Sequence, residues 1–170
     1  MTDADRVPVA DLDQATAATA AGLLRPACAS TRWIERLVSA RPYSSLEALT
    51  AASDATIKAL NWPDIEQALT GHPRIGDRAA GGGREAAWSR QEQSGTRDAG
   101  ADVQAGLRAG NAAYEERFGH VFLICANGMP AASMLAALQA RLDHDPATER
   151  EVVRDELIKI ARLRLARSFQ

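Results

Sequence analysis

The chain contains three histidines, and one of them lies between a glycine and a proline, where its side chain could carry a proton. His72 belongs to the segment Gly71-His72-Pro73-Arg74-Ile75-Gly76. The ordinary pKa of histidine lies within the physiological range, so the side chain suits proton transfer near neutral pH. A residue before proline is pushed out of the helical region. His72 is therefore predicted to project from a fixed turn, either as a proton carrier or as the occupant of a simple helix stop.

A second polar group follows in the segment Ser89-Arg90-Gln91-Glu92-Gln93. The pattern Ser-x-x-Glu is the capping-box signature of a helix start. The preceding residues from Arg84 to Trp88 already have the pattern of a helix, and in that case Ser89, Glu92 and Gln93 project from one face. Two interpretations therefore remain open, a helix cap and a polar wall made of a hydroxyl, a carboxylate and an amide.

The C-terminal segment places an arginine on an apolar helical stripe. Arg164 shares one helical face with three preceding apolar residues, Val153, Leu157 and Ile160. Arg162 falls on the opposite face, which is an ordinary solvated surface. An unpaired buried charge is energetically costly, so Arg164 needs a partner. That partner is either a structural carboxylate or carbonyl, or an anionic or urea-like ligand held by the planar guanidinium.

The remaining candidate metal ligands are scattered along the chain. His120 follows a glycine that ends a helix, and His144 lies in a loop that is predicted to face solvent. No H-x-H or H-x-x-E-H spacing connects the histidines with Glu92. Cys28 and Cys125 are far apart in apolar or small surroundings, which indicates buried thiols in a reducing compartment. The sequence therefore contains no recognisable metal-binding pattern.

The composition is that of an ordinary globular chain of one domain's length. The 170 residues are 46% hydrophobic, 25% charged and only 5% aromatic. The net charge of −2 argues against a nucleic-acid-binding surface. No apolar run approaches the roughly 18 residues needed to cross a membrane. The acidic start Met1-Thr2-Asp3-Ala4-Asp5 does not have the basic and apolar regions of a signal peptide, so we expect a cytoplasmic protein.

Helical periodicity accounts for nearly every segment that must position these residues. Besides the segment from Arg84, helices are predicted over about Asp11–Cys28, Thr31–Ala40, Ser45–Leu60, Pro63–Thr70, Ala101–Phe118, Pro130–Leu142 and Pro146–Ser168. Ser45 is the predicted N-cap of its helix, whereas Gly71 and Gly119 follow helix ends. The run Val121–Ala126 has strand character, and Asp77–Arg84, which contains Gly81-Gly82-Gly83, is a predicted loop. The predicted fold is all-α: residues 1–170 form one compact bundle of about eight helices with one short irregular extended segment.

Four motifs, taken in order, resemble those of one enzyme family. They are His72-Pro73-Arg74-Ile75-Gly76, Ser89-x-x-Glu92-Gln93, Asn111-x-x-Tyr114-x-x-x-Phe118-Gly119-x-x-Phe122 and Ile160-x-x-Leu163-Arg164-Leu165. Together they resemble the 2-oxo-4-hydroxy-4-carboxy-5-ureidoimidazoline (OHCU) decarboxylases of urate degradation. The resemblance covers nearly the whole chain and implies an all-helical homodimer without a cofactor. It also implies a small-molecule substrate, OHCU, which loses CO2 to leave (S)-allantoin.

The resemblance also assigns roles to individual residues. His72 corresponds to the family's catalytic proton donor, and Glu92 and Arg164 correspond to its catalytic carboxylate and arginine. The implied substrate-binding residues are Pro73, Ser89, Arg90, Gln91, Glu92, Gln93, His120, Val121, Phe122, Leu123 and Ile124. The triple-glycine loop departs from the family pattern, and no metal ligand is implied.

The chemistry of decarboxylation agrees with this assignment. The electron pair released with CO2 can pass into the unsaturated, nitrogen-rich ring of the substrate, so the protein must hold the ring, exclude water and deliver one proton. Backbone groups of Val121–Leu123 could bond the ring amides, because an irregular strand has donors and acceptors to offer. Two alternatives remain open. A metal-dependent amidohydrolase would be inactivated by chelation, and a non-catalytic helical interaction domain would not require Arg164 to face the core.

Overall fold

The computed structural model describes residues 6–77, 84–96 and 99–170, and within these ranges it is helical without a β-strand. The helices are α1 (Val9–Gln14), α2 (Ala17–Leu24), α3 (Thr31–Ser39), α4 (Leu46–Lys58), α5 (Trp62–Leu69), α6 (Arg84–Glu92), α7 (Ala101–Phe118), α8 (Ala131–Arg141) and α9 (Pro146–Ser168), with a short 3-10 helix at Ser94–Thr96. The all-α prediction is confirmed. Most of the predicted glycine-rich loop, including Gly81–Gly83, lies outside the described residues. No helix in the described part of the chain is long and apolar enough to span a membrane.

The described chain forms two compact units. The first contains residues 6–68 together with Ile158–Gln170, and the second contains Leu69–Leu157. Helix α9 therefore contributes residues to both units.

The first unit begins with two short helices where the sequence predicts a single helix over Asp11–Cys28. Ala15 is extended, with φ −65° and ψ 151°, and it ends α1. The hydroxyl of Thr16 then accepts a hydrogen bond from the backbone N–H of Thr19 at 3.2 Å and caps α2. Because a threonine hydroxyl can replace a helical hydrogen bond in this way, it favours a new helix start over continuation. The prediction of one long helix is wrong for this local reason.

The core of the first unit contains an apolar face of α3. Trp33, Ile34 and Leu37 are all buried. The indole N–H of Trp33 donates a hydrogen bond to Oγ of Ser53 at 3.1 Å, which satisfies its buried polar atom. The predicted N-cap of α4 is confirmed, because the Ser45 hydroxyl accepts from a backbone N–H of the first turn.

The second unit is centred on the packing of α7 against α8. Its core includes Leu107 and Tyr114 of α7, together with Phe122, Met134 and Leu138. Helices α7 and α8 approach closely at Gly106 and Gly110, where a Cβ atom would overlap leucine side chains of α8. Small residues at these positions therefore set the distance between the two helices.

The chain between α7 and α8 contains the predicted extended run. Gly119 ends α7 in the left-handed conformation, with φ 78°, as the sequence predicts. Residues 120–126, here called the extended segment, then pass through the core, where Phe122, Leu123, Ile124 and Ala126 are buried. The segment is irregular, so the strand character of Val121–Ala126 does not produce a strand in the described chain. Gly128, with φ 73°, lies in the turn that follows.

Gly95, in the 3-10 helix after α6, lies close against the backbone of Met129. A Cβ atom at Gly95 would overlap the carbonyl oxygen of Met129 and lie 3.2 Å from its carbonyl carbon. We predict that Gly95→Ala lowers the free energy of unfolding by about 1–3 kcal/mol, because backbone must move to relieve the overlap. Urea unfolding followed by circular dichroism measures this change.

Gly100→Ala is the matched control. Gly100 is the N-cap residue of α7, has a negative φ of −59°, and offers open space to a Cβ atom. Its substitution is expected to change stability by less than about 0.5 kcal/mol. Equal unfolding midpoints for the two variants would contradict the close packing at Gly95.

Candidate active site

Residues 70–77, here called the His72 loop, follow directly from the end of α5. The backbone N–H of His72 donates to the carbonyl of Leu69 at 2.9 Å, and His72 itself lies outside the helix in a half-buried position. The prediction that His72 occupies a turn is confirmed. Gly71 ends the helix without a left-handed φ; within the described ranges the nearest left-handed glycine is Gly76, with φ 91°. One turn, closed by the hydrogen bond from His72 to Leu69, therefore precedes His72. A second turn follows Pro73, where the backbone N–H of Asp77 donates to the carbonyl of Arg74 at 3.1 Å.

Two side chains hold the second half of this loop. The amide oxygen of Gln93 accepts a hydrogen bond from the backbone N–H of Gly76 at 3.0 Å. The Asn111 amide on α7 donates to the carbonyl oxygen of Ile75 at 2.9 Å. Both partners are backbone groups that an irregular loop cannot pair within itself. Gln93, which is predicted only as a substrate-binding residue, thus also anchors the loop.

An ion pair fixes the outer side of the same loop. The guanidinium of Arg74 binds the carboxylate of Glu115 through two parallel hydrogen bonds, each of 2.6 Å. Hydrogen bonding to Glu115 raises the pKa of Arg74, which keeps the guanidinium charged. Because Arg74 is exposed, this pair orients the loop and adds little to its stability.

Helix α6 presents the predicted polar wall. The helix begins at Arg84, so Ser89 lies inside it and the capping-box interpretation is wrong. Ser89 and Glu92 are buried, as is Gln93 immediately after the helix. The structure thus brings the hydroxyl, carboxylate and amide to the protected side of α6. Arg90 is half-buried and Gln91 is exposed, so Gln91 points away from this wall.

A cleft of about 730 Å³ lies beside the loop in the second unit. It is lined by polar, charged and apolar residues: Ile75, Gly76, Asp77, Arg90, Gln93, Thr96, Gln104, Leu107 and Arg108. Its volume is that of a small-molecule site, and its guanidinium and amide groups suit a polar, oxygen-rich ligand. His72, Ser89 and Glu92 are not among the described residues that line it, so the cleft includes only part of the predicted site.

The extended segment carries the predicted residues His120 to Ile124. The rings of His120 and Phe122 pack edge-on against Tyr114, with centroid distances of 5.5 Å and 5.2 Å. The carbonyl oxygen of Leu123 accepts from the guanidinium of Arg141 at 2.8 Å. The backbone N–H of Cys125 donates to the Glu156 carboxylate at 2.7 Å. Side chains, and not a neighbouring strand, therefore bond to the backbone on either side of Ile124.

A buried polar network supports this segment and was missed by the sequence analysis. Glu149 is 0% exposed, and its carboxylate binds Arg141, the hydroxyl of Tyr114 and Nδ1 of His144. Burial alone would raise the pKa of Glu149, but hydrogen bonds from Arg141 and Tyr114 outweigh it and hold that pKa below its usual range. In the sequence, the one indication of this network is Arg141, because it continues the apolar stripe of Met134 and Leu138 on α8.

The prediction that His144 faces solvent is wrong. Its side chain is 32% exposed, and Nδ1 lies 2.7 Å from Oε2 of Glu149. Loop position alone could not reveal this partner, because Glu149 belongs to the next helix. In the part of the chain that the structure describes, no group of three or more His, Cys, Asp or Glu side chains is placed to hold a metal ion.

In the first unit, two arginines near the end of α9 lie in different environments, one buried and one exposed, as predicted. Arg164 is 2% exposed, and its guanidinium donates to the carbonyl of Pro26 at 3.3 Å. The Arg162 side chain is 55% exposed and forms a surface ion pair with Asp54 at 2.6 Å. Burial raises the pKa of the nearby Cys28 thiol to about 12, even though the charge of Arg164 lowers it. Cys28 is therefore an inert buried thiol, as expected, whereas Cys125 is half-buried.

Comparison with known proteins identifies relatives over most of the chain. The sequence model of the OHCU decarboxylase family matches residues 13–166. OHCU decarboxylase of Haloferax volcanii is 30% identical over 145 residues, which cover 81% of this chain and 81% of that protein. The enzyme of Amia calva is 34% identical over 142 residues, or 82% of this chain and 78% of its own. The Arabidopsis thaliana uric acid degradation bifunctional protein TTL is 32% identical over 84% of this chain, which spans only 45% of that longer protein.

Solved structures show the same fold. A crystal structure of OHCU decarboxylase in the presence of (S)-allantoin superposes with a TM-score of 0.71 at 29% identity, over 84% of this chain and 94% of that one. A structure of (S)-allantoin synthase gives a TM-score of 0.70 at 21% identity, over 94% of this chain and 53% of that one, and shares the fold. With the family match over residues 13–166 and relatives of at least 30% identity, the chain belongs to the OHCU decarboxylase family.

Proposed function

We propose that the protein is a carboxy-lyase that converts OHCU to (S)-allantoin and CO2 in urate degradation. Family membership supports the reaction, and one structural observation carries the site. The hydrogen bond from Gly76 to Gln93 joins the His72 loop to the polar wall of α6, so two of the family motifs meet in one place. Residues 1–170 act as one functional domain in this proposal, since the family match includes residues of both units.

His72 is the proposed proton donor. In the reaction, the bond between the carboxylate and the ring carbon breaks, CO2 leaves, and the electron pair passes into the conjugated ring. A proton from the imidazole of His72 then returns to a ring carbon on one face, which would set the stereochemistry of allantoin. The turn before Pro73 supports this role, because it holds the imidazole at a fixed backbone position.

The polar wall of α6 supplies the groups around this proton transfer. The buried carboxylate of Glu92 is proposed to orient the imidazole or the substrate hydroxyl. The amide oxygen of Gln93 already accepts from Gly76, so its NH2 group is the part that can donate to a carboxylate or ureido oxygen. The proposed substrate contacts comprise Pro73, Ser89, Arg90, Gln91, Glu92, Gln93, His120, Val121, Phe122, Leu123 and Ile124. Because the Gln91 side chain is exposed and points away from the wall, its proposed contact is through the backbone.

Arg164 is proposed to orient the substrate, on the strength of the family motif and its buried position on α9. A strong grip on the departing carboxylate would stabilise the ground state and slow the reaction. A guanidinium that binds an oxygen retained in the product avoids this effect. The planar fork suits such an oxygen better than a point charge does.

We also infer a homodimer located in the cytoplasm. The family resemblance supports the dimer, and the free, buried thiol of Cys28 supports a reducing compartment such as the cytoplasm. Size-exclusion chromatography with light scattering measures the oligomeric state directly, and a monomeric mass would refute the homodimer.

The proposed activity is tested with substrate made in place. Urate is oxidised enzymatically to OHCU, the protein is added after treatment with a chelator, and (S)-allantoin is followed by circular dichroism. We predict faster formation of (S)-allantoin than in the spontaneous reaction, because the proposed chemistry uses only side chains and backbone groups. Folded protein that leaves the spontaneous rate unchanged would refute the proposal. Activity that chelation abolishes and metal restores would instead favour a metal-dependent enzyme.

The role of His72 is tested by His72→Gln. Loss of general acid catalysis is expected to lower turnover by about 100-fold or more. The melting temperature should barely change, because the backbone turn does not depend on the imidazole. His120→Gln is the control on the extended segment, and a milder loss is expected. Retained turnover in His72→Gln would contradict the role of proton donor and indicate that His72 only occupies a helix stop.

Two arginines on α9 provide a matched test of the inward guanidinium. Arg164→Lys is expected to lower turnover by about tenfold or more, since an ammonium does not reproduce a planar fork. Arg162→Lys should leave turnover and melting temperature nearly unchanged, because exposed ion pairs contribute about 0–1 kcal/mol. Steady-state kinetics and thermal unfolding of both variants measure these effects. A loss of activity that only follows a loss of stability in Arg164→Lys would assign it a structural role.

A further inference from the structure

Arg141 is the last residue of α8 and is buried, although it carries a charge. Its guanidinium donates through Nη1 to the carbonyl oxygen of Leu123 at 2.8 Å and through Nε to the Glu149 carboxylate at 2.9 Å. The guanidinium carbon also lies 4.6 Å from the centre of the Phe122 ring. The planar group is therefore held by a backbone carbonyl, a carboxylate and an aromatic face at once.

The carboxylate that binds Arg141 is held by groups from two helices and one loop. Glu149 lies on α9, accepts from the hydroxyl of Tyr114 on α7, and has Nδ1 of His144 2.7 Å from its second oxygen. A buried carboxylate with three partners has one stable position, because any displacement leaves a charged oxygen without a donor. The position of Arg141 is in turn determined by Glu149.

This network reaches the extended segment at Leu123, within the stretch proposed to bond the substrate ring. We propose that Arg141 is a positioning residue for the decarboxylation: it fixes the Leu123 carbonyl, and thereby the backbone groups of Val121–Leu123, against the substrate. The inference rests on the proposed function. Displacement of a positioning group by about 1 Å can lower a rate by about 100-fold, so a support at this point affects the reaction without touching the substrate.

The point at which Arg141 bonds to the extended segment distinguishes a positioning role from simple helix packing. Residues 120–126 belong to no strand in the described ranges, so no ladder of backbone hydrogen bonds sets their register. The second anchor, the Glu156 carboxylate on the N–H of Cys125, lies beyond the proposed substrate-binding residues. Inside that stretch, the 3.1 Å contact between Nδ1 of His120 and the Val121 carbonyl is local, whereas Arg141 holds the Leu123 carbonyl from a neighbouring helix.

The test compares Arg141→Lys with Arg117→Lys. Arg117 also donates to a backbone carbonyl, that of His144 at 2.9 Å, but it is exposed and its acceptor lies outside the extended segment. Both substitutions keep the charge and remove the planar fork. Two quantities are measured: the kinetic constants with freshly made OHCU, and hydrogen exchange of the peptide that covers residues 120–126 without any ligand.

For Arg141→Lys we expect KM to rise by about fivefold or more, and exchange of the 120–126 peptide to become about tenfold faster, because the Leu123 carbonyl loses its fixed donor. Peptides from α2 and α3 should exchange as in the wild type. Arg117→Lys should change neither quantity by more than about twofold. A folded Arg141→Lys variant that has a lower melting temperature but wild-type KM and segment exchange would overturn the proposal.

If Arg141→Lys does not fold, Tyr114→Phe decides the question. It removes one hydrogen bond from Glu149 and leaves the charges in place, so a smaller rise in KM and in segment exchange, about twofold to fivefold, is expected. Unchanged values in that variant would overturn the proposal. Failure of the proposed function is distinguishable, because an inactive wild-type protein refutes the reaction, whereas the exchange measurement still shows whether Arg141 fixes the segment.

Discussion

The buried pair between Arg141 and Glu149 is the interaction on which the second unit depends. Helices α7, α8 and α9 all contribute a group to it, and its guanidinium also reaches the extended segment. Removing one partner from such a pair leaves an uncompensated buried charge and costs about 3–5 kcal/mol. Because the pKa of Glu149 is lowered, its ionisation stabilises the fold above the ordinary carboxyl pKa, and this contribution disappears as the pH falls through the lowered value.

The same physical rule explains how the candidate active site is held. Irregular backbone cannot satisfy its own polar groups, so it needs side chains from neighbouring helices. Gln93 and Asn111 meet this need in the His72 loop, as Arg141 and Glu156 do in the extended segment. Both parts of the proposed site therefore consist of loops whose positions are set by rigid helices.

This construction suits a reaction that relies on positioned groups. In the proposed chemistry the substrate ring takes up the electrons, and the protein contributes one proton and a fixed set of hydrogen bonds. Groups that are fixed before the substrate binds need no reorganisation when charge develops. The buried hydroxyl of Ser89 and carboxylate of Glu92 on α6 have the protection from water that such preorganisation requires. The anchoring bonds are therefore part of the proposed catalytic design.

The sequence by itself determined the helical class, the end of α7 at Gly119, the turn at His72 and the inward position of Arg164, because each follows from local periodicity or backbone preference. It did not separate α1 from α2, because the alanine-rich helical pattern continues through Ala15 and Thr16 and conceals the helix start that the Thr16 hydroxyl caps. Only the tertiary structure decided that Gln93 holds Gly76, that Asn111 holds Ile75 and that Glu149 gathers Arg141 and His144. The first two contacts join residues 17 and 36 positions apart. Such partners are selected by burial, because a polar group removed from water must bond to whichever group the packing of the helices places beside it.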